Sequence, residues 1–290
     1  MRPSPLLLFL LLVTWLLLTA ACERKADLDI GPVAAKLVVT SYISPQDSVL
    51  VAFVSRSIPL TGARGSQQSF DVKDARVEIS DGTNTVQLLY KNYYYTAPAK
   101  RLPIRPGQTY FLHVTTPAGL EAMASCTVPA ESIPVGEVAL DSVITGNQPQ
   151  YFVAFNWADP PGQQNYYEVV MQMSYQYLLQ PDNVNVYGDG VTPNEITQPP
   201  FVEDGQRDGA DLQSPRAQFD LRQRADRLEL RLDLLHEDIH MYTYRQGTYY
   251  TSTQGEGSLF VTPQNLYSNV QSGFGVFGAY NRSSRRIRLR

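Results

Sequence analysis

The sequence has 290 residues, of which 43% are hydrophobic and 18% are charged, and its formal net charge is −4. A chain of this size and composition can bury a sizeable core and is long enough for about two domains, which argues against disorder. The acidic balance argues against a nucleic-acid partner, because such proteins usually carry a basic surface. Eighteen Tyr and 11 Phe, with 20 Pro and 19 Gly, favour many short strands joined by turns.

The N-terminus carries a short apolar run behind a positive charge. Arg2 precedes an almost unbroken apolar stretch at 6–18. That stretch is shorter than the roughly 20 residues of a membrane-spanning helix and is typical of a signal peptide. The small residues 19–21 then stand directly before Cys22, which resembles the lipobox cut by lipoprotein signal peptidase. Residues 1–21 are therefore predicted to be a lipoprotein signal peptide.

Cys22 is the predicted lipidation site. The motif departs from the usual lipobox at Thr19, where leucine is common, and Leu18 lies one place upstream. A lipoprotein cysteine is alkylated by a diacylglycerol group, and its freed amine commonly takes another acyl chain such as palmitate. Each buried CH₂ contributes about 0.8 kcal/mol, so two or three chains hold a protein firmly at a membrane. We expect residues 22–35 to form a lipidated tether; the alternative is a secreted protein in which Cys22 is incidental.

Residues 36–130 show the period-two alternation of half-buried strands. Asp81-Gly82 is a hairpin signal, and Pro106-Gly107 is a turn signal. Cys126, the only other cysteine, is predicted to be a buried and inert thiol on the last strand. The region has the usual size of an immunoglobulin-like β-sandwich. The predicted strands are 37–43, 49–54, 75–80, 86–90, 109–115 and 122–128.

Residues 135–290 follow a linker at 129–134 and are predicted to form a second β-rich sandwich domain. Candidate strands lie at 152–157, 167–175 and 228–234. Between them, segment 180–215 is rich in Asp, Asn, Gly, Pro and Gln, which indicates a functional loop or partial disorder. Residues 236–250 lack alternation and favour a short helix, with Asp233 or Asp238 near its start. The predicted fold class is mainly all-β.

One motif in the second region has the spacing of a zinc site. His236-Glu237-Asp238-Ile239-His240 matches H-E-x-x-H, which on a helix places two imidazoles one turn apart, with Glu237 as general base and Glu256 as a candidate third ligand. Thr243 and Gln246 break the extended metzincin pattern. The preferred interpretation is a solvated helix start with neither catalytic nor metal-binding residues. The remaining histidine, His113, is predicted to lie at the surface.

Three further groups of side chains have a functional and a structural interpretation. Acidic residues near or within 180–215 have the oxygen ligands that calcium takes but fit no EF-hand spacing, so plain solvation is the preferred interpretation. Paired aromatics suit stacking on sugars or peptides, although one residue of each pair should be core. C-terminal arginines suit a lipid or partner surface, although a solvated edge strand is the simpler explanation. The groups are Asp182, Asp189, Glu203, Asp204, Asp208 and Asp211; Tyr93-Tyr94-Tyr95, Tyr166-Tyr167 and Tyr249-Tyr250; and Arg282, Arg285, Arg286, Arg288 and Arg290.

Several blocks of sequence resemble the DUF4249 family, a group of lipoproteins of Bacteroidota. They are 36–40, 74–79, 165–169, 265–270 and 273–280, and the last is the most specific. The resemblance implies an outer-membrane lipoprotein, often encoded near TonB-dependent transporters of the SusC type, with no known catalysis. Gly273, Gly275 and Gly278 in the last block are expected to mark close backbone approach or bulges in a terminal strand rather than a phosphate loop.

These observations lead to one functional expectation. The chain is expected to be a non-enzymatic outer-membrane lipoprotein, facing the periplasm or the cell surface, that assists a SusC-type transporter or binds an extracellular ligand. No cofactor is expected beyond the covalent lipid on Cys22, and calcium in segment 180–215 is kept as an alternative. A zinc peptidase and a structural envelope protein are the alternatives.

Overall fold

The computed structural model describes most of the chain beyond the predicted tether. The described ranges are 34–57, 70–146, 148–180, 183–191, 199–219, 221, 226–254 and 266–289. The predicted signal peptide, Cys22, Asp182, Glu256 and Arg290 lie outside the described residues, as does the side chain of Asp189.

Seven strands form the first region, and their buried residues alternate with exposed ones as the sequence predicts. This alternation arises because successive side chains of a strand point to opposite faces of the sheet. The strands are β1 (Leu37–Ile43), β2 (Val49–Arg56), β3 (Arg76–Ser80), β4 (Thr85–Lys91), β5 (Tyr94–Pro98), β6 (Thr109–Thr115) and β7 (Glu121–Thr127). Six of them correspond to predicted strands. β5 was missed because its alternation is carried by Tyr95 and Ala97 alone, yet its backbone pairs with both β2 and β4.

The second region contains the remaining strands and the helix. These are β8 (Val138–Thr145), β9 (Gln148–Ala158), β10 (Tyr166–Gln180), β11 (Asn183–Val191), β12 (Phe201–Glu203), β13 (Asp211–Gln213), β14 (Ala217–Phe219), β15 (Arg227–Glu237), α1 (Ile239–Gln254) and β16 (Phe274–Arg288). The mainly all-β class with a short helix is confirmed.

Segment 180–215 differs from the predicted irregular loop. Its described residues include β11 and β12, which pair with β10, and β13, which pairs with β9. Backbone hydrogen bonds to the long strands β9 and β10 hold these strands in the sheets, so a segment rich in Asp, Asn and Gly still pairs.

Within the described residues, two sheets carry two buried clusters. The larger sheet has the order β11-β10-β15-β16-β1-β2-β5-β4-β3-β6-β7, with β12 paired to β10. The smaller sheet has the order β13-β9-β14, with β8 paired to β9. One cluster gathers residues of β1–β7, and the other gathers residues of β9, β10, β13, β14 and β15. The division into two domains at 129–134 stays a prediction.

Strand β16 joins the two parts of the larger sheet. Its residues 274–279 pair in parallel with β1, and its residues 280–288 pair antiparallel with β15. Phe277 and Ala279 therefore belong to the first buried cluster, although they lie far along the chain from β1–β7. A Cβ on Gly275 would lie less than 3.0 Å from the Val39 carbonyl oxygen, and one on Gly278 would lie 2.6 Å from the Cβ of Met241. The expected close backbone approach at these glycines is confirmed.

Other surface and core expectations are also met. Residues 280–288 of β16 pair with β15 and no other described strand, and Arg285, Arg286 and Arg288 are exposed, as expected for a solvated edge. His113 is partly exposed, and its Nε2 lies 2.7 Å from Glu121 Oε1. Cys126 is buried, and burial raises the pKa of its thiol.

Among the described helices, none combines the length and the apolar character needed to cross a membrane.

Candidate functional site

The H-E-x-x-H motif is divided between a strand and a helix. β15 continues through Glu237, because His236 and Glu237 still pair with residues of β10 and β16. Asp238 then ends the strand, and its Oδ1 accepts a hydrogen bond from the Met241 backbone N–H at 2.8 Å, the geometry of a helix N-cap. Of the two predicted helix starts, Asp238 is therefore correct. The helical spacing on which the zinc hypothesis depends is absent, since only His240 lies on α1.

The two histidines of the motif lie in separate surroundings. His236 is 3% exposed, with Nδ1 at 3.0 Å from the Glu131 carbonyl oxygen and Nε2 at 3.0 Å from Asn165 Oδ1. Burial lowers the pKa of His236. His240 Nδ1 instead lies 2.5 Å from the Tyr267 hydroxyl. Both nitrogens of His236 are thus engaged within the protein, and the described residues do not assemble the predicted zinc ligands.

Glu237 points to the opposite face of the sheet and forms a buried carboxyl pair with Glu168 of β10. Glu237 is 2% exposed and Glu168 is 4% exposed. Burial, followed by the nearby Glu168 carboxylate, raises the pKa of Glu237 well above its usual value. Arg245 of α1 donates through Nη2 to Glu168 Oε1 at 2.6 Å. Two buried carboxylates and one guanidinium would leave an uncompensated negative charge, which costs several kcal/mol.

A proton shared by the pair removes that charge. Among the described residues, no N–H or O–H group of another residue donates to Glu168 Oε2 or to either carboxyl oxygen of Glu237. A protonated Glu237 becomes a donor and can bond to Glu168. We therefore expect the shared proton to lie on Glu237, where it can bond to Glu168 beside Arg245.

Helix α1 covers the carboxyl pair and borders two cavities. The Arg245 guanidinium lies 5.8 Å from the centre of the Tyr42 ring. Phe201 of β12 packs edge-on against Tyr242 and Tyr249, with ring centres 5.8 and 5.7 Å apart. Phe201 lines both cavities, which we call together the α1 cleft. The larger cavity, about 670 Å³, is also lined by Arg207, Arg216, Tyr242 and Gln246, and the smaller, about 290 Å³, by Tyr42, Glu168, Arg245 and Tyr249.

Two of the predicted calcium ligands meet a third carboxylate that the sequence did not indicate. Carboxylate oxygens of Asp159, Asp204 and Asp208 lie within 4.8 Å of one another. Asp159 follows β9 and accepts hydrogen bonds from the Tyr167 hydroxyl at 2.5 Å and the Gly209 backbone N–H at 3.0 Å. Asp208 accepts from the Gly162 backbone N–H, and Asp204 accepts from the backbone N–H groups of Asn165 and Gly205.

The described members Glu203 and Asp211 of the predicted calcium set are not in this group. The hydrogen bonds give the three carboxylates a structural role in holding the turns after β9 and β12. Calcium binding itself stays a prediction.

Two of the three aromatic groups divide as the strand period predicts. Tyr95 and Tyr167 are core residues, whereas Tyr93 and Tyr94 are 67% and 48% exposed. The prediction is wrong for Tyr249 and Tyr250, which lie on α1 and are both outside the core, and Tyr249 lines the smaller cavity of the α1 cleft.

Sequence reasoning missed the partnership of Glu168 with Arg245. Glu168 lies on the face of β10 opposite Tyr167 and Val169, where alternation predicts solvent. Helix α1 covers that face instead. The only available signal was Arg245 within the predicted helix, which does not by itself name a partner.

The fold and the site define a mainly β protein with two buried clusters and a helix closing a polar, partly aromatic cleft. Residues 23–286 match the sequence profile described as "Domain of unknown function (DUF4249)", so the chain belongs to the DUF4249 family. No curated protein matches the chain.

Among solved structures, the chain is weakly similar to one described as "Structural insight into host cell surface retention of a 1.5-MDa bacterial ice-binding adhesin". The TM-score is 0.19 at 9% identity, over 88% of this chain and 64% of that chain. The chain thus spans less than two thirds of that protein, and a similarity this low carries no argument.

Proposed function

We propose that this chain is a non-enzymatic lipoprotein of the outer membrane, anchored by acyl chains on Cys22, that binds an extracellular ligand or assists a SusC-type TonB-dependent transporter. The pattern of residues 1–22 supports the anchor. Membership of the DUF4249 family supports the transporter partner, by resemblance alone.

The α1 cleft is the observation that carries the binding proposal. Ligand sites usually have volumes of about 300–1,000 Å³ and combine apolar walls with a few polar groups. The larger cavity of about 670 Å³ has this character, with Phe201 and Tyr242 beside Arg207, Arg216 and Gln246.

Affinity purification from native membranes after mild cross-linking tests the proposal. We expect a TonB-dependent transporter to copurify with the wild type. Arg207→Glu, which reverses a charge at the larger cavity, should reduce its recovery. Arg105→Glu, an exposed change in the first region, should leave recovery unchanged. Failure to recover any transporter with the acylated protein would favour the structural envelope alternative.

The zinc peptidase alternative has a direct test in metal analysis of the purified chain. Since His236 and His240 face different partners, we expect no stoichiometric zinc. Stoichiometric zinc that is lost in His236→Ala would support the peptidase instead.

A further inference from the structure

The outer face of three neighbouring strands is apolar and exposed. β5 lies between β2 and β4, with Thr96 opposite Val51 on one side and Leu89 on the other. We call this surface the β2–β4–β5 face. Leu89 is 62% exposed, and the rings of Phe53 and Tyr94 lie 6.2 Å apart across the strands. The face comprises Val49, Val51, Phe53, Leu89, Tyr93 and Tyr94. Contiguous exposed apolar surface of this kind marks an interaction site in a soluble domain.

The face is also free of acidic residues. None of the residues of β2, β4 and β5 is Asp or Glu, although the whole chain has a net charge of −4. Lys91 shares the exposed strand face of Leu89, and the exposed Lys100 and Arg101 lie in the turn after β5. Asp47, in the turn before β2, accepts a hydrogen bond from the Tyr280 hydroxyl at 2.9 Å. The surface therefore combines apolar side chains with positive charge.

The hairpin between β4 and β5 presents an aromatic tip. Asn92 and Tyr93 have φ values of 50° and 72°, the left-handed pair that a type I′ turn requires. Such a conformation is rare for a bulky residue, and here it holds the Tyr93 ring in an exposed position. Tyrosine has an apolar ring and a polar hydroxyl, and lysine can extend its ammonium toward phosphate, so both suit the boundary between lipid and water.

We propose that the β2–β4–β5 face rests on an anionic lipid bilayer, the one that holds the acyl chains of Cys22. This inference rests on the proposed lipid anchor. The 13 residue steps from Cys22 to Ala35 can span at most about 47 Å, so the anchor keeps the folded region close to the bilayer. Basic side chains near an anionic surface are attracted to it electrostatically. A tethered protein needs only such weak contacts, because tethering raises the effective concentration.

Tryptophan quenching in vesicles tests the contact. The mature wild-type chain retains Trp157, which is 1% exposed and gives a low background. The acylated Tyr93→Trp variant is reconstituted in phosphatidylethanolamine–phosphatidylglycerol vesicles that carry brominated acyl chains. Ile144→Trp is the matched control, since Ile144 is 77% exposed on β8. We expect several-fold stronger quenching for Tyr93→Trp than for the control.

A second pair of variants tests the face as a whole. Leu89→Glu in the Tyr93→Trp background should weaken quenching several-fold, whereas Leu140→Glu, at a 45% exposed position on β8, should not. Equal quenching at positions 93 and 144, or none at either, overturns the inference. A dimer in detergent that Leu89→Glu dissociates would also overturn it, by assigning the face to a second copy. Mass spectrometry of the N-terminus separates these outcomes from failure of the anchor, since an unacylated Cys22 refutes the proposed function itself.

Discussion

At the scale of single residues, the buried carboxyl pair makes stability depend on pH. The pKa of Glu237 is raised in the folded protein, so the folded state binds its proton more tightly than the unfolded state does. Its contribution to stability is therefore fully present below the unfolded pKa of about 4.3 and is lost as pH rises toward the folded value.

Glu237→Gln should remove this dependence, because glutamine keeps a donor for Glu168 and cannot ionise. We expect the free energy of unfolding to fall less between pH 5 and pH 8 in the variant than in the wild type, as measured by urea denaturation. Glu78→Gln, which alters a partly exposed ion pair with Arg76, is the control and should keep the wild-type pH dependence. If the free energy of unfolding falls with pH as steeply in Glu237→Gln as in the wild type, the shared proton is contradicted.

Asp159 is the second residue whose loss should be costly. It is 4% exposed and accepts hydrogen bonds from Tyr167 and Gly209. Asp159→Ala leaves both donors unpaired and should cost about 2–3 kcal/mol, whereas Asp211→Ala at an exposed position should change stability by less than about 0.5 kcal/mol. Urea titrations of both variants measure the difference. A loss as small in Asp159→Ala as in Asp211→Ala would exclude a structural role for these carboxylates.

At the scale of elements, the packing of α1 on β16 depends on a glycine. A Cβ at Gly278 would lie 2.6 Å from the Met241 Cβ and 3.0 Å from its Cα, so Gly278→Ala must displace the helix. Overpacking of this kind typically costs about 1–3 kcal/mol.

Gly247 provides the matched comparison within α1. A Cβ there would meet Leu266 at 3.7 Å, which is ordinary contact. Alanine is preferred over glycine in a helix by about 1 kcal/mol, so Gly247→Ala should stabilise the protein while Gly278→Ala destabilises it. Thermal unfolding of the two variants measures the opposite shifts. Equal shifts would show that Gly278 has no packing role.

At the scale of the whole molecule, the first buried cluster is completed from the C-terminus. Phe277 and Ala279 are fully buried in that cluster, and β1 has β16 as its parallel neighbour. A fragment of residues 36–130 lacks both features and should not unfold cooperatively, whereas the complete mature chain should. Near-UV circular dichroism during heating distinguishes the two. A cooperative transition of the fragment would instead support the predicted domain division.

Much of the fold could be predicted because alternation is a local property. Leu228, Leu230, Leu232 and Leu234 are all buried as their period indicates. The H-E-x-x-H motif could not be assigned in the same way, since strand pairing extends β15 through Glu237 and only Asp238 begins the helix. The partners of Glu237 could not be predicted, because Arg245 reaches Glu168 only after α1 has packed on the sheet.

The sequence by itself determined the mainly β class, most strands, the buried Cys126 and the glycines of β16, because period-two patterns, turn residues and missing side chains act locally. The tertiary structure alone decided the dual pairing of β16, the buried carboxyl pair under α1 and the continuous β2–β4–β5 face. These features join residues distant in sequence, and their energies arise from burial and desolvation that exist only after the strands and the helix have packed.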